Sequence, residues 1–158
     1  MERRKEREDR MRLVLFATLL MFSSATAFAQ DRPPSCPVAG GTEKTENLQA
    51  LPAPVAHSLQ HHVPNLSPPG SLFNGGDVLL PGQSMPGRRL IAAFHRDNRW
   101  VIAYEAAGVG FHDVVVAYDL SPDGKTSTIA FKSQTLPASL CSTVERALTA
   151  NGPIDRFW

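Results

Sequence analysis

RRLIAAFHRDNRWVIAYEAAGVGFHDVVVAYD, residues Arg88 to Asp119, is the long, mostly apolar block that organises the chain once Met1 to Gln30 are set aside. Three runs in it are rich in β-branched and aromatic residues: Arg89 to His95, Arg99 to Glu105 and His112 to Asp119. Each has the length of an ordinary strand. Arg96, Asp97 and Asn98 supply a tight polar turn in which Asp or Asn accepts a left-handed backbone, and so short a connection implies an antiparallel hairpin. Ala106 to Phe111, with Gly108 and Gly110, forms a looser second connection. Ser121-Pro122-Asp123-Gly124 reads as a third turn, leading into Thr126 to Lys132 as a fourth strand.

Both faces of the central strands are apolar, with Trp100, Ile102 and Tyr104 on one and Val101 and Ala103 on the other. Both faces therefore need a cover. Leu140, Val144, Ala147 and Leu148 fall on one helical stripe and supply the first cover. Pro137 suits the first turn of that helix, Ser142 and Glu145 lie inside it, and Asn151-Gly152-Pro153 predicts a left-handed stop. The second cover is the Pro-rich segment, a second copy of the chain, or a partner. The predicted fold class is α+β: a small antiparallel β-meander of about four strands packed on one C-terminal helix, with an irregular Pro-rich N-terminal arm.

Upstream of the block, residues 1–29 read as a secretory signal peptide. It has a charged start, MERRKEREDRMR, an apolar run from Leu13 to Phe22, and Ala27-Phe28-Ala29 as a small-x-small motif with cleavage after Ala29. The apolar run is shorter than the roughly 20 residues of a membrane span, so no span is expected after cleavage. The start is long and acidic for a signal peptide, which makes Met11 an alternative first residue. Removing the six Lys or Arg and four Asp or Glu that precede Leu13 from totals of 16 and 15 leaves ten against eleven. No basic field for nucleic acid remains.

Residues 30–87 form a Pro/Gly-rich arm holding ten of the thirteen prolines. It is expected to be partly disordered and to contribute little core, with one short helix over Val55 to His62. Leu72-Phe73 and Val78-Leu79-Leu80 are candidates for short edge strands or plugs. Residues 88–158 hold the sheet and the C-terminal helix. Cys36 and Cys141 are the only cysteines, and in an exported chain an even count points to a disulfide. The bond would close a loop of about a hundred residues, which the chain-entropy model values at about 4 to 5 kcal/mol.

Three groups of residues could carry chemistry. Glu105, His112 and Asp113 flank the second connection, where a carboxylate beside an imidazole would orient the ring as a general base requires. No nucleophile motif or Gly-rich phosphate loop accompanies them. His57 and His61, with His62 beside them, would share a helical face and could supply two metal ligands, too few for a site without a third. Trp100, Tyr104, Phe94 and Tyr118 could form an aromatic strip across the meander with Arg88, Arg89, Arg96 and Arg99 at its margin, a binding surface if one face stays open.

No motif in the chain dictates a chemistry. The expectation is an exported, periplasmic or secreted, soluble domain with no cofactor, acting as a noncatalytic binding or interaction protein of the cell envelope. Its partner would be a protein or a small ligand, and a homodimer would fit an uncovered face. A small hydrolase using Glu105, His112 and Asp113, and a self-assembling structural subunit, are the alternatives.

Overall fold

The computed structural model describes residues 36–38, 42–76, 85–108, 112–150 and 152. The expected cleavage after Ala29 and the Val78-Leu79-Leu80 segment lie outside the described residues. The elements in chain order are β1 (Glu43–Thr45), α1 (Ala53–His62), β2 (Leu66–Ser67), β3 (Arg88–Arg96), β4 (Arg99–Ala106), β5 (His112–Leu120), β6 (Ser127–Thr135) and α2 (Leu140–Thr149). Short 3-10 turns at Leu48–Ala50 and Pro137–Ser139 lead towards α1 and α2.

The antiparallel meander β3-β4-β5-β6 is present, and it packs on the C-terminal helix α2. The β3–β4 turn places Asp97 in the left-handed region, at φ 55°, and Gly124 in the next tight turn has φ 68°. Two residues break the register: Ile91, between Leu90 and Ala92, and Ala130, opposite the step from Ala117 to Tyr118. A bulge residue shifts the alternation by one. Leu90 and Ala92 consequently serve opposite cores, and so do Ile129 and Phe131.

The α2 face is built from small and medium side chains. Ala92, Ala103 and Ala117 admit the helix closely, and Phe94, Val115 and Phe131 fill the space around Leu140, Val144 and Leu148. Cys36 is bonded to Cys141 across a Cα–Cα distance of 5.0 Å, which fastens the start of the described chain to α2. Asn151 and Pro153 of the expected left-handed stop lie outside the described residues. Ala150 is extended, at φ −124° and ψ 147°, and its N–H donates to Arg146 O at 2.9 Å. Gly152 lies so close to the Phe131 ring that a Cβ there would come within 2.3 Å. Its lack of a side chain serves close approach rather than a left-handed turn.

The second face is covered by the arm itself, which corrects the expectation that residues 30–87 contribute little core. Leu51, Val55, Leu59 and Val63 are buried against Leu90, Ile102, Tyr104, Val116 and Tyr118. Those four arm residues recur every fourth position, a single sparse stripe on α1 and its flanks. Each is worth about 1.5 to 3 kcal/mol when fully buried. Pro52 and Pro54 do not oppose the helix, because they fall at its first turn, where no backbone N–H is needed. The arm also caps the outer edge of β3. β1 pairs antiparallel with residues 93–95, and β2 pairs parallel with Arg88 and Arg89.

Leu72-Phe73 forms neither a strand nor a plug: Leu72 is 85% exposed, and Phe73 lies under the Arg89 guanidinium at 4.3 Å. Among the described residues no helix is long and apolar enough to cross a membrane.

Candidate functional site

Strand alternation divides the carboxylate and histidine candidates. Neighbours along a strand point to opposite faces, so Asp113 lies on the α2 side and His112 on the α1 side. The ladder sets Glu105 opposite Asp113 and His112 opposite Ala106, not Glu105 opposite His112. On the α2 side, Glu105 takes a hydrogen bond from Arg89 Nε at 2.5 Å, and Arg89 Nη1 donates to Ser71 O at 3.1 Å. Asp113 is 1% exposed, and its Oδ2 has no hydrogen-bond partner among the described residues. Burial, and then the neighbouring Glu105 charge, push the Asp113 carboxyl up to about 6, with His112 pulling the other way. The result is a buried acid pair in which Glu105 is matched by a cation at contact distance.

The α1 side holds a cavity of about 440 Å³, within the roughly 300–1,000 Å³ range of small-ligand sites. Four adjacent strands line it: Arg88 from β3, Tyr104 and Ala106 from β4, His112 and Val114 from β5, Lys132 and Gln134 from β6. Its position follows from where α1 sits. Ser127, at the first residue of β6, donates its hydroxyl to Pro54 O at 3.0 Å and contacts the Ser58 hydroxyl at 2.9 Å. The cavity reaches Gln134, towards the other end of β6, and no residue of α1 is among the described residues that line it. Tyr104 is 1% exposed, and its hydroxyl has no hydrogen-bond partner among the described residues. Burial pushes that hydroxyl up to about 12, against the pull of the nearby Arg88 guanidinium, so it remains a donor at neutral pH. Arg88 is fixed from behind, because the Ser67 hydroxyl of β2 donates to Arg88 O at 2.8 Å.

The aromatic strip is divided in the same way. Phe94 belongs to the α2 core, whereas Tyr104 and Tyr118 belong to the α1 core. Trp100, at the margin of that core, stacks on His95 with ring centroids 4.6 Å apart. Arg99 is committed to the fold. Its Nε and Nη2 grip both oxygens of Asp119 at 2.6 and 2.7 Å, and its Nη1 donates to Ala147 O and Ala150 O at 3.3 and 3.0 Å. It thereby caps the C-terminal carbonyls of α2 with a cation, the sign the helix dipole favours there. His57 and His61 are exposed on α1. Among the described residues no group of three His, Cys, Asp or Glu could hold a metal ion.

Sequence reasoning singled out Tyr104 and His112, for other roles, and placed Arg88 only at a margin. It missed Lys132 and Gln134, because the extra residue at Ala130 shifts the face on which β6 presents its last side chains. No protein-family model, curated protein or solved structure matches the chain.

Proposed function

We propose that this protein is an exported, noncatalytic binding domain of the cell envelope, periplasmic or secreted, and that its ligand is a small molecule seated in the cavity on the α1 face. The observation that carries the reading is that cavity: four strands contribute polar and apolar side chains to one concave surface on the α1 face. Ligand sites combine an apolar wall with a few convergent polar groups in this way. Two features support export. The first residues have the pattern of a signal peptide, and the Cys36–Cys141 bond belongs to oxidising compartments. The α1 face, for which a second copy was one expected cover, is occupied by the chain's own arm, which favours a small ligand over self-assembly.

The test is a fragment screen read by amide NMR on the oxidised protein. Fragments should move resonances of Arg88, Tyr104, His112 and Lys132 together, and Ala106→Phe, which fills the cavity, should abolish those shifts. Shifts of equal size in Ala106→Phe, or no response around the cavity to any fragment, would overturn the reading. Turnover of an ester or amide substrate that disappears in a folded His112→Ala variant would replace it with the hydrolase.

A further inference from the structure

We infer that Asn74 is a site of spontaneous covalent modification: the peptide nitrogen of Gly75 displaces its side-chain amide as ammonia, and water then leaves a carboxylate in the loop beside Arg89. The site lies outside the cavity and is independent of what the cavity binds.

The reaction needs the backbone nitrogen of one residue to reach the side-chain carbonyl carbon of the Asn before it. A Cβ on the attacking residue crowds that approach and restricts its backbone, and glycine has none. Of the described asparagines, Asn47 and Asn65 precede leucine, Asn98 precedes arginine, and Asn74 alone precedes glycine. Gly75 and Gly76 are exposed and Asn74 is half-buried, so water and base reach the peptide. The Gly75 N–H makes no hydrogen bond among the described residues, so none has to break before it gives up its proton. Asn74 Oδ1 accepts the Gly76 N–H at 3.1 Å. That contact polarises the carbonyl under attack and holds the negative charge that gathers on its oxygen as the new bond forms. Asn47 makes the same turn, accepting the Gln49 N–H at 3.0 Å, but is followed by Leu48. It is a control built into the same fold.

The balance is that of a hydrolysis. Gly75 N loses its proton to base and bonds to Asn74 Cγ; the bond from Cγ to Nδ2 breaks, and the nitrogen leaves as ammonia after taking up a proton. Water opens the resulting five-membered succinimide at either carbonyl, giving aspartate or isoaspartate. Both products carry a new carboxylate one residue from Phe73, whose ring lies under the Arg89 guanidinium at 4.3 Å. Isoaspartate also adds a carbon to the backbone where the Asn74 N–H donates to Pro86 O at 2.8 Å. The modification therefore acts on the loop that meets the Arg89–Glu105 pair.

The experiment ages the oxidised full chain at mildly alkaline and mildly acidic pH and samples it by peptide mapping that separates aspartate from isoaspartate. The Asn74 peptide should convert to both products, faster at the higher pH, while the Asn47, Asn65 and Asn98 peptides stay intact. Asn151, which also precedes a glycine and lies outside the described residues, falls in a separate peptide. Gly75→Ala should slow conversion at Asn74 by at least about ten-fold. That variant keeps the fold, because Gly75 has no positive φ and a Cβ there would meet the Phe73 ring at an ordinary 3.7 Å; a thermal melt confirms it. An Asn74 that stays intact while the same peptide of the urea-unfolded chain converts would overturn the proposal. Aspartate without isoaspartate would overturn the succinimide route. A Gly75→Ala rate equal to the parent's, or Asn47 converting as fast as Asn74, would overturn the assignment to Gly75. Amide resonances of Phe73 and Arg89 should shift in the aged protein, and unchanged ones would overturn the link to Arg89.

Discussion

The two faces of the sheet are covered by helices of the same length, ten residues each, yet they are finished differently. On the α2 side alanines let the helix come close, a disulfide fastens it, and Arg99 with Asp119 caps its end. On the α1 side the sheet presents Ile102, Tyr104 and Tyr118, the helix is held by four aliphatic side chains and the serine contacts, and no residue of the helix is among the described residues that line the cavity. The orphaned hydroxyls of Tyr104 and Tyr118 both lie on this second side. The difference teaches where function can sit: one face is closed by covalent and charged fastenings, and the other holds a cavity lined by polar and apolar groups.

The comparison can be broken most severely at the disulfide. Replacing Cys36 and Cys141 together by Ala should destabilise the oxidised protein by about 4 to 5 kcal/mol on the chain-entropy model. Urea unfolding with and without reductant measures it, and a loss below about 1 kcal/mol would show that the fastening on the α2 side is redundant.

On the other side, Leu59→Ala should cost about 3 kcal/mol, within the range for emptying a buried leucine site. A cost near zero would mean that α1 does not cover the second face in solution. Hydrogen exchange on this variant sharpens the contrast further. Protection should fall first in α1 and at Tyr104, while α2 stays protected behind its disulfide.

The smallest of the three effects concerns the buried acid pair. Asp113 titrates near 6 when folded against an ordinary 3.8, so the folded state binds more protons than the unfolded state between those values. Its contribution to stability is therefore full below about pH 4 and is lost as pH rises through about 6. Asp113→Asn should stabilise the protein by about 2 to 3 kcal/mol at pH 7, with the gain vanishing towards pH 4. Chemical denaturation across that range checks it. A destabilised Asn variant at pH 7 would show that the Asp113 carboxylate is held by a partner, as Glu105 is by Arg89.

Much of this architecture was legible because the signals are local. The strand runs, the Asp97 turn, the Gly124 turn and the α2 stripe each depend on residues a few positions apart, and they were readable with boundaries within a few residues. The cysteine pairing followed from there being only two. The arm was misread for a physical reason: one apolar residue in four is too sparse to announce a helix among prolines, although it suffices once a sheet face is waiting for it. The candidate site was legible only in part. Tyr104 and His112 were named, but their grouping depends on which face each residue takes.

The sequence by itself determined the meander, the C-terminal helix, the cysteine pair and the apolar character of both sheet faces, since periodicity, turn chemistry and residue counts are properties of neighbours along the chain. Tertiary structure alone decided the rest. It showed that the arm covers the second face, that Glu105 meets Asp113 while His112 turns away, and that Arg88, Tyr104 and Lys132 share one wall. For the β3 and β6 residues the reason is that a single bulge residue, Ile91 or Ala130, reverses every side chain beyond it, and for Glu105 and His112 it is the regular β4–β5 register, which pairs Glu105 with Asp113. Whether a strand holds such a residue is settled by its pairing with the next strand and by the cores on either side.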